Sequence, residues 1–578
     1  MARRKPVPVT VTGQSDFFIR NLGPLVLFSH LLKEMKIREI TNAHCPADPR
    51  LEVPIGDVIG ALVANRLCSP QPLLHVAEWA DDSGAEFLLG IPAGALNDDR
   101  LARALDAIFA KRWNILADVA LHVCLKFNVS LTKVHYDPTS FHFTGEYNNQ
   151  SESPSLMPEL RPFRIEVGRH ARPGDHIKEA QVGVNLANDG KGPVPFFYHS
   201  ADGKANGHVA VAKNLQHLLK YVRPKKLLMV TDSGCFNAGH ALRLVRCNFD
   251  FISSLTWKEE HANLYDKEKP KMQESSFLSL KEKRKRELGL PEDTWERYFI
   301  GEIPYKITHE KWSIRVRLIF VRSTADMKVC QKTREKYTVK ISEGLEKIKS
   351  SVENGYLKEI REVHKKVNDL YGRKQAQKYF TYEAQSLTPE EIKTLPQRRP
   401  GKRRPMLKFF YQYHFDLARQ DAKYDGLYVL GTSLSKNTHT ADDVFVAFKE
   451  QHHIETAHHQ WKVPLRLRPL FLKKPTRLES LVFVQFLALM AFYLIQRLYR
   501  LAKGEACRTT GETLIRYFVS CPIAVRYEKA FAQVMPCSLK PAQVDVLENL
   551  GFPFVDEQIQ KYVIPRKEGP DVKGEGDI

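Results

Sequence analysis

Three acidic residues stand where the local pattern gives a carboxylate chemistry to do. Asp137 closes the run VHYD ahead of Pro138, Asp232 closes LLMVTD ahead of Ser233-Gly234, and Glu455 lies within VFVAFKEQHHIETAHHQWK. Each aspartate follows β-forming residues, so each is expected to project from a strand end beside a turn, and both could face one crevice. Taken singly, either also reads as a turn former or helix cap. In the third segment, at about 100° per residue, Phe448, Gln451, Glu455 and Lys462 fall within one narrow helical stripe. Such a stripe is either a solvated face or a glutamate that binds metal while its amide and ammonium neighbours hold a phosphate.

Three hard carboxylates, with no Cys or His in metal spacing, favour Mg²⁺ or Mn²⁺ over zinc. Phosphoryl transfer follows: two ions roughly 3.5 to 4 Å apart activate a water or a 3′-hydroxyl on one side of a phosphodiester and stabilise the leaving oxygen on the other. His452, His453, His458 and His459 share the segment, but H-E-x-x-H is absent, and they read as DNA-facing or structural.

The chain around these residues has 578 positions, 43% hydrophobic and 27% charged, which allows a sizeable core and two to four domains and excludes a peptide hormone, a collagen or a wholly disordered protein. Its formal net charge of +20 attracts polyanions, so nucleic acid is the first partner to test. The nine cysteines are scattered without a C-x-x-C pair, so a reducing cytoplasm is the expected compartment. No apolar core of signal-peptide length follows MARRKPVPVTVTGQSDFF. The most apolar run, Leu481 to Ile495, is shorter than the roughly 18 to 20 residues of a membrane span. It includes Gln485 and reads as a helix packed inside the protein.

Apolar positions at three- and four-residue intervals predict helices from about 15 to 128, a separate helical N-terminal domain suited to packing or to DNA-end recognition. From Leu131 the pattern changes to strands: LTKVHYD, AQVGVNLA and VPFFYHS as an antiparallel meander, then helix, LLMVTD, helix and FDFISSL, the last two strands parallel. The expected class is α/β, a mixed sheet covered by helices. Its first part spans 129–255, and an insertion at 256–424 carries the basic run Lys281 to Arg286, a long charged helical stretch and a basic linker. The sheet is expected to resume over 425–510 with one helix from about Asp442 through Trp461. A C-terminal helical region (511–565) and a disordered tail (566–578) complete the chain.

Y-D-P-T-S around Asp137, T-D-S-G around Asp232, D-G-L-Y-V-L-G-T at 425–432 and F-x2-Q-x3-E-x6-K from Phe448 to Lys462 resemble the DDE transposases of bacterial and archaeal insertion sequences. The likeness runs through most of the chain, and the nearest branch has the signature Y-x2-R-x3-E-x6-K and a ribonuclease-H-like core interrupted between the second Asp and the Glu. The resemblance implies that Asp137, Asp232 and Glu455 form the metal-binding catalytic triad for two Mg²⁺ or Mn²⁺ ions. It makes Lys462 a phosphate contact. Phe448 stands for the tyrosine, and Gln451 for the arginine, which removes a cation and weakens phosphate binding there by about 1 to 2 kcal/mol. Trp257 lies where related enzymes carry an aromatic that stacks on a flipped base; it also reads as a buried aromatic opening the insertion.

The resemblance further implies double-stranded DNA as partner, both inverted repeats and target, bound as a homodimer, with hydrolysis freeing a 3′-hydroxyl that attacks the target. A catalytically inactive DNA-binding regulator and a metal-dependent nuclease that joins nothing are the competing readings. Lys281 to Arg286, Arg398 to Arg404 and Arg466 to Arg477 are either grips on flanking phosphates or solvated linkers.

Overall fold

Strand pairing in the middle of the chain sets the architecture. In this computed structural model residues 17–559 are described, except 47–50, 144–146, 148–160, 169–176, 236, 373–374, 397–402, 466–471, 505 and 528–531. The expected disordered tail, most of the basic linker at 398–404 and the first part of the 466–477 segment therefore lie outside the described residues. Two compact units are present: Met1–Ser253 with Thr308–Trp312 and Ala447–Ile578, and Ser254–Ile307 with Ser313–Val446.

The first unit is built on five strands, β1 (Lys133–Phe143), β2 (Lys178–Ala187), β3 (Val194–Ala201), β4 (Leu227–Thr231) and β5 (Phe249–Leu255). Their spatial order is β3-β2-β1-β4-β5. The first three are antiparallel, while β4 runs parallel to β1 and β5 parallel to β4. Apolar runs such as LLMV suit a sheet buried on both faces, and the helix Ala238–Arg246, capped by the Asn237 side chain, makes the crossover between β4 and β5. The β1–β2 connection is not a tight turn, since 34 residues separate Phe143 from Lys178.

The first strand does not end at Asp137 as the sequence pattern suggests. It continues through Pro138 to Phe143, because its antiparallel pairing with β2 runs from Val134 to Phe143 whereas its parallel pairing with β4 stops at Tyr136. Beyond that point β1 lacks β4 as a neighbour, and a proline with no N–H to donate is tolerated on such an edge.

Helices Leu25–Glu34, Ile55–Cys68, Asp98–Phe109 and Arg112–Lys126 lie in one compact unit with the sheet. The reason is the 29-residue helix Pro475–Lys503, which packs against several of them and against β3. This is the one helix among the described residues long and apolar enough to cross a membrane, and its apolar stretch is wholly buried within the protein. A helix apolar on every side needs partners on every side. Its buried Glu479 accepts hydrogen bonds from Arg112 Nη2 (2.9 Å), the Phe163 backbone N–H (3.0 Å) and Ser200 Oγ (2.5 Å), tying four segments together. The C-terminal region is not purely helical: Pro522–Tyr527 and Ala532–Pro536 form a hairpin, and the first of these pairs antiparallel with Phe17–Asn21. The alternation of Ile523, Val525 and Tyr527 carries that signal in the sequence.

The second unit is also mixed α/β. Strand Trp312–Ser323 pairs antiparallel with Leu427–Thr432, so this last strand belongs here rather than with residues 447–510. Helices Thr324–Glu353 and Ile360–Tyr371 pack on the hairpin Phe380–Ser386/Leu407–Tyr413 around Ile341, Leu345, Val363 and Phe409.

Arg112→Ala leaves the Glu479 carboxylate buried without its cation and is expected to destabilise the first unit by about 3–5 kcal/mol. Urea unfolding checks this, and a loss under 1 kcal/mol would contradict the role given to the pair.

Candidate functional site

Sheet register brings the first two carboxylates together. Tyr136 pairs with Thr231 across the parallel β1–β4 ladder, so the next residues along, Asp137 and Asp232, stand side by side. Neighbouring parallel strands lie about 4.8 Å apart with matching pleats, so both side chains leave the same face. Asp232 sits just past its strand, exposed, accepting a 2.7 Å bond from the Ser233 N–H.

The third carboxylate arrives on a helix laid along β1. The expected single helix from 442 to 461 is two, Ala441–Lys449 and His452–Lys462, separated at Glu450-Gln451. Glu450 causes the break. Its carboxylate accepts hydrogen bonds from Lys133 and from Asn188 Nδ2 (3.1 Å) and lies 3.8 Å from His135 Nε2, while the backbone tightens through Gln451 N–H to Phe448 O and His453 N–H to Glu450 O. Burial raises the Glu450 pKa, but the neighbouring His135 ring and the Lys133 ammonium outweigh it and leave the group below its ordinary value.

Alternate residues of β1 then meet the second helix in order. Lys133 and His135 contact Glu450, Asp137 Oδ2 lies 3.6 Å from His458 Nδ1, and Thr139 Oγ1 accepts from Lys462 Nζ. Six strand steps cover about 20 Å and twelve helical steps about 18 Å, so helix and strand run together, with His458 level with Asp137 and Glu455 one turn before it, near enough for its charge to act on Asp137. Trp461, fully buried, holds the helix from behind, with its ring against Tyr198 of β3 (6.0 Å) and Phe486 of the long helix (5.6 Å). Glu455 and Lys462 keep the predicted common stripe. Phe448 precedes the break and Gln451 lies in it, both half-buried, so neither belongs to the continuous face of the second helix.

Electrostatics records the convergence. Burial, then the charges of Asp232 and Glu455, push the Asp137 carboxyl up to about 7 against the pull of Lys462. Burial and the nearby Lys462 ammonium drive the imidazole of His458 down to about 3, so it is neutral. Among the described residues no three His, Cys, Asp or Glu side chains are gathered at metal-binding distance. The donors are nonetheless hard oxygens, and the repulsion that lifts Asp137 is what a dication would cancel, so the set fits a hard divalent cation.

Trp257 belongs to the second unit, where its half-buried ring packs with Phe320 (6.3 Å), Tyr424 (5.8 Å) and His261 (6.0 Å). The basic run Lys281 to Arg286 forms most of the helix Leu280–Glu287, and Lys285 there bonds to the buried Glu282. Glu450 and His135 escape the sequence reading, which gives His458 only as DNA-facing or structural. The alternation of Lys133, His135, Asp137 and Thr139 on one strand face was the available signal.

The family model described as a domain of unknown function (DUF4277) matches residues 17–121. No curated protein matches the chain. A solved structure with which it aligns is the "Cryo-EM structure of piggyBac transposase synaptic complex with hairpin DNA (SNHP)", at 9% identity over 89% of this chain and 82% of that one, with a TM-score of 0.34.

Below about pH 4 Asp137 is protonated in the folded and unfolded chain alike, whereas above about 7 the fold has to carry its charge. In metal-free buffer the stability gained by Asp137→Asn is therefore expected to grow from near zero at pH 4 to on the order of 3 kcal/mol at pH 8, allowing for the part of the side chain facing water. Urea unfolding of both proteins across that range checks it; a gain independent of pH would contradict the arrangement.

Proposed function

We propose that the chain is a DDE-type DNA transposase, which binds the inverted-repeat ends of an insertion sequence, hydrolyses a phosphodiester and joins the freed 3′-hydroxyl to target DNA. The observation that carries this reading is the β1–β4 register setting Asp137 beside Asp232, with the helix of Glu455 and Lys462 laid along the same strand. The strand order β3-β2-β1-β4-β5, three antiparallel and two parallel, supports a ribonuclease-H-like core. The second unit, entered after β5 and left at Val446, supports an insertion between the second aspartate and the glutamate. The motifs quoted above give the reading its family.

In this mechanism Asp137, Asp232 and Glu455 would hold two Mg²⁺ or Mn²⁺ ions. Bound there, such ions supply a more acidic water or 3′-hydroxyl and charge stabilisation at the leaving oxygen. The protein's own residues do the positioning. The paired strands fix the spacing of the two aspartates, and the helix carries Glu455 to within one turn of Asp137. The Lys462 ammonium, at the other end of the same stripe, offers a contact to a phosphate of the transposon end. Gln451 can donate a neutral hydrogen bond to phosphate from the helix break. We propose DNA ends and target as partners and a homodimer as the acting species.

A DNA carrying the element's own ends, incubated with the protein and Mg²⁺, tests the reading. Joined products are expected from the wild type, with a loss of at least about 10³-fold in Asp232→Ala and Glu455→Gln, in line with removal of a metal ligand from a phosphoryl-transfer site. Unchanged turnover in those variants would overturn it. Cleavage without joining would instead assign a nuclease, and a salt-sensitive gel shift without cleavage a DNA-binding regulator.

A further inference from the structure

The buried face of the glutamate helix consists of Ile454, Ala457, His458 and Trp461. Three of the four are apolar, as a helix seated on a sheet requires. His458 is the exception. Its side chain is 8% exposed, and its Nε2 has no hydrogen-bond partner among the described residues. An apolar residue here would avoid the desolvation of that nitrogen, so packing alone does not account for an imidazole.

The other nitrogen has a specific partner. Nδ1 stands 3.6 Å from Asp137 Oδ2. A carboxylate oxygen on that side assigns the proton to Nδ1 and leaves the lone pair on the buried Nε2. Polar contacts between helix and strand also lie to either side, at Glu450 with Lys133 and His135 and at Lys462 with Thr139. His458 joins the two elements at the level of Asp137, one turn from Glu455.

We propose that His458 is a positioning residue of the carboxylate site, setting through Asp137 the height at which Glu455 rests against strand β1. This rests on the reading of Asp137, Asp232 and Glu455 as cation ligands, and it assigns the histidine no contact with DNA. A residue that only fills space would affect stability, whereas one that aligns ligands affects cation affinity. Outer partners of ligand residues typically change affinity by about 10- to 100-fold when removed.

The test is thermal unfolding of the full chain, without metal and in a Mn²⁺ titration, for the wild type, His458→Leu, His458→Asn and His458→Gln. In His458→Leu the metal-free Tm is expected to hold or rise, while the Mn²⁺ concentration for half-maximal stabilisation increases about tenfold or more. His458→Asn, whose Nδ2 stands where Nδ1 stood, is expected to restore the wild-type midpoint, and His458→Gln is not. If the leucine variant does not fold, the asparagine–glutamine comparison decides. A wild type stabilised by Mn²⁺ at a midpoint that neither leucine nor glutamine shifts overturns this inference alone. A wild type that Mn²⁺ does not stabilise at all overturns it together with the reading beneath it.

Discussion

The register of one short parallel ladder governs this molecule. Once Tyr136 is paired with Thr231, Asp137 and Asp232 have no choice but to share a face, one strand spacing apart. Two like charges held so close inside a partly buried crevice oppose each other, and that opposition registers at Asp137. Lys462 pulls the other way on Asp137, and burial and repulsion outweigh it. A structure selected for stability alone has no reason to keep this arrangement.

What surrounds the ladder makes the strain tolerable. The glutamate helix is gripped along β1 by Glu450, His458 and Lys462 and from behind by Trp461, whose ring bridges to the long helix through Phe486. That long helix is anchored by Glu479 to Arg112 and Ser200, and by the bidentate pair of Arg497 with Asp189 (2.6 and 2.8 Å), which joins it to the turn after β2. Burial raises the Asp189 pKa, yet the Arg497 guanidinium and the N–H groups of Lys191 and Ser130 hold it at about 2. The N-terminal helices thus share one core with the segments that carry the acidic residues.

The sequence made the repeating parts legible. Strands and helices from 131 to 255 stand within a few residues of where periodicity puts them, because each is bounded by Gly, Asp or Asn turns and keeps one period throughout. Asp137 was misread as a strand end since Pro138 signals a stop, and only tertiary pairing reveals that β1 loses β4 as a neighbour at that point. The break at Glu450-Gln451 was invisible for the same reason: its cause is a carboxylate reaching Lys133, more than three hundred residues away in sequence. Likewise the pairing of Phe17–Asn21 with Pro522–Tyr527 joins the two ends of the described chain, and no local pattern encodes a partner that distant.

The central claim is that three side chains remote in sequence serve a common pair of cations, and manganese reports position directly. Crystals grown with Mn²⁺, with or without DNA, should give anomalous scattering peaks between the Asp137 and Asp232 carboxylates with a Glu455 oxygen in bonding range. Manganese found only elsewhere, or bound by the aspartates while Glu455 remains turned to solvent, would contradict the account.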